Sequence, residues 1–180
     1  EGLLHALEDP ATQDTALGIL GQLRHSHVMG SLTHYLQRYL YEGKPATRWA
    51  AAQALSLFGD ETSVSILLNA TRLPDETIRR PAADALAHVR GNRAVNVLIE
   101  ALGDRDWLVR QKAVEALSSI PDGRAVAALL PLVNDPEWRV RKTLVMGLAR
   151  VNDGRIYEPL QHLARDPDRW VRRTVMDAAV

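Results

Sequence analysis

Cysteine is absent from the 180-residue chain, which excludes disulfides, thiol catalysis and cysteine-held zinc or iron–sulfur sites. Aromatic residues make up only 5%, and the alternating β-branched runs that mark strands are missing. Apolar runs such as Ala125 to Val133, which itself contains a proline, fall far short of the roughly 20 residues of a membrane span. Neither sign of charge is in excess, since 22 basic side chains face 22 acidic ones, and nothing in the sum points to a polyanion partner. The opening Glu1-Gly2-Leu3-Leu4 has no charged-then-apolar leader. The G-x-G-x-x-G, Walker, G-x-S-x-G and H-E-x-x-H patterns are lacking as well. These absences predict a non-catalytic chain without cofactor or resident metal, cytoplasmic and not inserted in a membrane.

What the sequence has in abundance is Ala, Leu and Arg, all good helix formers, and it has them on a period. Arg48, Arg79, Arg110, Arg141 and Arg172 follow one another at a constant interval, a 31-residue period. The same interval links Leu55, Leu86, Leu117 and Leu148, links Leu67, Leu98, Leu129 and Leu160, and links Val64, Val95, Val126 and Tyr157. Several registers on one period indicate internal repeats. Within one repeat, Leu108, Ala113, Ala116, Leu117 and Ile120 recur at helical spacing until Asp122-Gly123 interrupts them, and a second helix runs from Arg124 to about Val133. Asp135-Pro136 and Asp166-Pro167 place an acceptor before a proline at a helix start. Two such short helices cannot bury their apolar stripes alone, whereas stacked pairs can. The fold predicted is an all-α superhelix of about five antiparallel helix pairs, read as one domain over residues 1–180. Leu3 to Asp9 matches Leu98 to Asp104, and Val180 falls at the place of Ser118; the expectation is a piece of a longer array.

Asp104 to Leu117, reading D-R-D-W-L-V-R-Q-K-A-V-E-A-L, with the Asp122-Gly123-Arg124 turn that follows, resembles the short HEAT-like repeat named after phycobilisome lyases. The resemblance implies a right-handed superhelix whose second helices line the concave side. It is shared by scaffolds, chromophore lyases and hydroxylases, so it carries the fold further than the function.

Nineteen of the 22 basic residues are arginine. Asp75, Asp106, Glu137 and Asp168 stand four residues before Arg79, Arg110, Arg141 and Arg172, which reads as surface pairs worth about 0.3–0.5 kcal/mol each that help fix repeat stacking. Arg93, Arg124 and Arg155 lack an acid at that spacing and are the candidates for anion contact. Trp107, Trp138 and Trp170 read as packing between repeats. Pro81 and Pro131 fall inside helices, where kinks are expected.

The first repeat departs from the rest. It is longer by two residues, and it concentrates His25, His27 and His34 with Tyr35, Tyr39 and Tyr41; metal binding by the three histidines is a minor alternative. With Val126, Leu129, Leu130 and Val133 taken as core, the outward positions of the second helices are His34, Arg38 and Tyr41; Ser65, Asn69 and Arg72; Asn96, Glu100 and Gly103; Ala127, Pro131 and Asn134; and Glu158, His162 and Arg165. The candidate partner-binding set drawn from these is His34, Tyr35, Arg38, Tyr41, Asn69, Arg72, Glu100, His162 and Arg165. Mixed charge with Tyr and Arg anchors suits a protein partner or a neighbouring domain of the same chain better than a nucleic acid. The function predicted is a protein-binding scaffold. A bilin lyase or lyase-like chaperone is the alternative, and nucleic-acid binding ranks third.

Overall fold

The computed structural model describes residues 2, 6–7, 9, 11–23, 29–89, 94–151 and 153–178. Among these residues every regular element is helical: α1 (Gln13–Leu23), α2 (Met29–Glu42), α3 (Pro45–Phe58), α4 (Glu61–Thr71), α5 (Glu76–Leu86), α6 (Val95–Ala101), α7 (Trp107–Leu117), α8 (Gly123–Leu129), α9 (Trp138–Leu148), α10 (Tyr157–Leu163) and α11 (Arg169–Ala178). Two 3₁₀ turns, Leu130–Asn134 and Gly154–Ile156, extend α8 and introduce α10. From α3 onward the odd-numbered first helices start at residues 45, 76, 107, 138 and 169, the period of the sequence made visible. No described helix is long and apolar enough to cross a membrane.

The acids ahead of the ladder arginines set these starts. Asp75, Asp106 and Glu137 are N-caps that accept from the backbone N–H of Thr77, Leu108 and Arg139, and Asp168 does the same for Trp170. Asp60, Asp122 and Asp153 cap the second-helix segments. Each such cap is worth about 1 kcal/mol. At the other end of α3, Gly59 takes φ 61° and its N–H closes on the Leu55 carbonyl, a left-handed C-cap that favours glycine.

The chain forms two compact units, Glu1–Val97 and Leu98–Val180, with the boundary inside α6. In the first unit α3 packs on α2, α4 and α5. Ala51, Ala54 and Ala82 are completely buried and Ala85 nearly so, while Leu55, Leu67 and Leu86 fill the space around them; small residues allow close helix approach and the leucines supply the apolar area. Pro81 is buried inside α5, which continues to Leu86.

In the second unit α9 lies between α7 and α11. Leu117, Leu129, Leu144, Leu148 and Leu163 are fully buried. Leu144 stands where the three preceding repeats have Ala51, Ala82 and Ala113, and one turn later Gly147 replaces Ala. A Cβ at Gly147 would sit 2.8 Å from that of Ser118 and overlap its hydroxyl, so the extra volume at 144 is offset at 147.

Five residues singled out by spacing or period are less buried than their neighbours. Val109, not Leu108, is the buried residue at the start of α7, with Leu108 half-buried. After Leu129 the inward side chain is Leu132, while Leu130 and Val133 are half-buried, because Pro131 opens a 3₁₀ turn with three residues per turn. In the last pair Ile156 and Leu163 face inward, Leu160 is half-buried and Tyr157 is exposed, since the Gly154–Ile156 turn rotates the entry into α10.

Candidate partner-binding surface

The arginine ladder uses its charges differently from the pattern expected of it. Its acids at i−4 cap helices, and the guanidinium groups of Arg110 and Arg141 reach the aspartates 25 residues ahead. Arg110 donates from Nε and Nη2 to Asp135 at 2.8 and 2.9 Å, and Arg141 to Asp166 at 2.7 and 2.9 Å. The remaining Nη1 of each donates to the two backbone carbonyls of its own preceding turn. These bidentate contacts, or rungs, are buried: the side chains of Arg141 and Asp166 are 10% and 3% exposed. Burial alone would raise the Asp166 carboxyl, but hydrogen bonds from Arg141 and the Asp168 amide outweigh it and hold the group below the usual range. Arg110 and Arg141 therefore join repeats, through aspartates other than the i−4 acids first paired with them.

Two of the anion candidates, Arg124 and Arg155, already hold carboxylate partners. Arg124 folds back on Asp122 at 2.7 Å and Arg155 on Asp153 at 2.6 Å. The acid that caps each second-helix segment, at i−2, occupies the guanidinium; Arg155 holds the Asp153 carboxyl down at about 2. Arg93 lies outside the described residues, as do His25 and His27 of the considered metal set.

The tryptophans are corrected too. Trp107 and Trp170 are 36% and 43% exposed, and Trp138 is half-buried. Val109, Val140 and Val171 take the inward position at the third residue of α7, α9 and α11, which leaves the first two positions exposed or half-buried.

Of the second-helix residues, His34, Tyr35, Arg38, Asn69 and Arg72 in the first unit are exposed. His34 and Tyr35 meet edge to face, with ring centroids 6.3 Å apart. Arg38 is paired with Glu42 of its own helix at 3.0 Å, an exposed contact a partner carboxylate could replace. Tyr41 is half-buried, burial pushes its phenol above the usual value, and its carbonyl accepts from Arg48 at 3.2 Å. It belongs as much to packing as to the surface. Between α2 and α4 lies an open cleft of about 410 Å³, lined by Thr33, His34, Gln37, Asp60, Thr62 and Ile66 beside Gly30. Thr33, Gln37 and Thr62 were missed by the i, i+4, i+7 reading, which follows one helix and cannot show what two helices enclose. In the second unit Glu100, His162 and Arg165 are exposed, and the latter two border an open cleft of about 640 Å³ with Glu158, Gln161 and Asp166.

Capped helix pairs on a fixed period, tied by arginine rungs, define an α-helical repeat protein in the superhelix class. The pattern of HEAT repeats matches residues 1–87, 66–142 and 126–180, and the chain belongs to the HEAT-repeat family. None of the curated proteins compared with it matches in sequence. Among solved structures it resembles the complex of CpcE and CpcF of phycocyanin lyase from Nostoc sp. PCC7120, with TM-score 0.65 and 24% identity over 83% of this chain and 99% of that one. It also resembles a designed armadillo repeat protein in complex with the peptide (KR)4, with TM-score 0.52 and 16% identity over 99% and 97%. An engineered protein gives TM-score 0.52 and 21% identity over 99% and 97%. These likenesses agree with the fold expected from the repeat.

Proposed function

We propose that the chain is a non-catalytic scaffold that holds a protein partner, or a neighbouring domain of its own chain, on its second helices. The observation that carries this reading is the exposed His34–Tyr35–Arg38 face beside the α2–α4 cleft, where an aromatic anchor and an exchangeable guanidinium flank a pocket of hydroxyl and amide groups. Repeat relatives whose structures are complexes, with a second chain or with a peptide, are consistent with it. The experiment is photo-crosslinking from position 35, identification of the adduct, and titration of the purified partner. Tyr35→Ala with Arg38→Ala is expected to weaken that binding by about 2 kcal/mol with unfolding unchanged. No adduct, or equal binding by the double variant, overturns the reading. The likeness to a phycocyanin lyase complex supports a second reading, a lyase-like chaperone of a pigment-bearing protein; retention of a bilin through gel filtration would favour it.

A further inference from the structure

Each closed rung has two halves, and the chain holds one unused half of each kind. Asp-Pro dipeptides stand at residues 9, 135 and 166, and Asp135 and Asp166 take the guanidinium groups of Arg110 and Arg141. Asp9 has the same local geometry. Its Oδ1 accepts from the Ala11 N–H at 3.0 Å, as Asp135 does from Glu137 at 2.9 Å and Asp166 from Asp168 at 2.8 Å. Asp9 is exposed, and no guanidinium among the described residues meets it. The other unused half is Arg172. Its Nη1 donates to the Asp166 and Pro167 carbonyls at 2.6 and 2.9 Å, the anchoring that also holds Arg110 and Arg141. Its Nε and Nη2, the two prongs of a rung, have no carboxylate among the described residues. The acids around it are engaged: Asp166 by Arg141, Asp168 by the Trp170 N–H and Asp177 by Arg173 at 3.8 Å.

The helix faces beside these halves are open as well. Where a rung closes, the helix after the acid packs on the helix that carries the arginine, α9 on α7 and α11 on α9. Val114 reaches to 3.9 Å from the place of a Cβ on Gly147 in the following helix, and Val145, one repeat on, is completely buried like it; Met176, at the same position of α11, is 72% exposed. The helix after Asp9 is α1, which packs on α3 and leaves the uncharged stripe Thr15, Gly18, Ile19 and Gln22 exposed. We infer that the Arg172 face of α11 docks the Asp9 turn and α1 of a second copy of this chain, closing between copies the rung that Arg110 and Arg141 close within one. Asp9 and Arg172 belong to different units, so the contact is heterologous: a pair of copies still offers one Asp9 and one Arg172, and association continues head to tail. This contact is separate from the α2–α4 surface.

The test is analytical ultracentrifugation of the whole chain over a concentration series, with Arg172→Ala and Asp9→Asn measured alone and as an equimolar mixture. The parent is expected to form species beyond the monomer as concentration rises. Each variant alone should associate at least about tenfold more weakly, the loss of a charged hydrogen bond; Asp9→Asn keeps the oxygen that accepts from Ala11. The mixture should recover a dimer of parental affinity and stop there, because one intact Asp9 then meets one intact Arg172. Arg150→Ala, elsewhere on the second unit, should change association at most about twofold. Far-UV circular dichroism checks folding, and Arg172→Met, which keeps the apolar stem, serves if the alanine variant is unfolded. A parent that stays monomeric up to about 0.5 mM, variants that associate as tightly as the parent, an equal loss in Arg150→Ala, or a mixture no stronger than its components overturns the inference. Association lost in Arg172→Ala but kept in Asp9→Asn overturns it in favour of a different acid on the same guanidinium.

Discussion

In the second unit Arg110 and Arg141 each close a buried two-pronged contact on an aspartate 25 residues ahead. In the first unit Arg48 occupies the same place in its helix, and the position equivalent to the aspartate holds Leu73. The backbone there is ready for the contact, since the Leu73 and Pro74 carbonyls accept from Arg79 as those of Asp135 and Pro136 do from Arg141. Only the carboxylate is missing. Arg48 therefore turns to the capping Asp75 and to Thr77 and to the Tyr41 carbonyl, and its buried Nε is left without a partner. One side chain thus separates a completed rung from an improvised one, and the two units should answer differently to the same kind of substitution.

The largest difference is expected on removing the acid. Asp166→Ala leaves Arg141 buried and unpaired, a loss of about 3–5 kcal/mol. Asp75→Ala, at the half-exposed improvised contact, should cost about 1 kcal/mol, the value of an N-cap. Urea unfolding of the two variants measures both, and equal losses would abolish the distinction. Core substitutions provide the control. Leu55→Ala and Leu117→Ala, at equivalent buried positions, should each cost about 2–5 kcal/mol, showing that the units differ in rungs rather than in packing; a loss below about 0.5 kcal/mol at either site would contradict its burial.

Much of this was legible in the sequence and part was misread for a physical reason. The period, the helix starts and the buried leucines followed from spacing, because helical periodicity and capping are local. The rung acids were equally visible, since Asp135 and Asp166 stand at one constant distance along the chain from Arg110 and Arg141. An acid already stood at i−4, and a helix start that needs a cap claims such an acid before a side chain does. For the tryptophans, sequence shows that an aromatic repeats but not which of three consecutive helical positions turns inward; here valine does. The α2–α4 cleft needs two helices at once, so only His34 of its lining was anticipated.

Supplying the missing carboxylate tests the comparison from the other side. Leu73→Asp should let Arg48 adopt the two-pronged contact and raise stability by about 1 kcal/mol, since charged hydrogen bonds exceed the value of a half-buried leucine side chain. A decrease would mean that the improvised contacts are the better set. The smallest effect concerns acid. Arg155 lowers Asp153 from 3.8 to about 2, so this pair's contribution is complete above the ordinary carboxylate range and is lost as pH falls from near 4 through 2. Asp153→Asn should flatten the stability profile within that window and leave it parallel to the parent above pH 5, as followed by denaturation at stepped pH.

Each rung has one half in its own turn and the other in the next repeat, and this governs how the second unit can change length. Excising Gln111 to Arg141, one full repeat, would put Arg110 where Arg141 stood, in reach of Asp166, and duplicating that stretch would create one more closed contact. Loss of a single residue more or fewer would instead offset every downstream guanidinium from its carboxylate. Recombination between copies of the repeat thus yields a folded descendant when it is in phase, whereas gradual slippage does not. Lengthening by whole units is the evolutionary path that this chemistry leaves open.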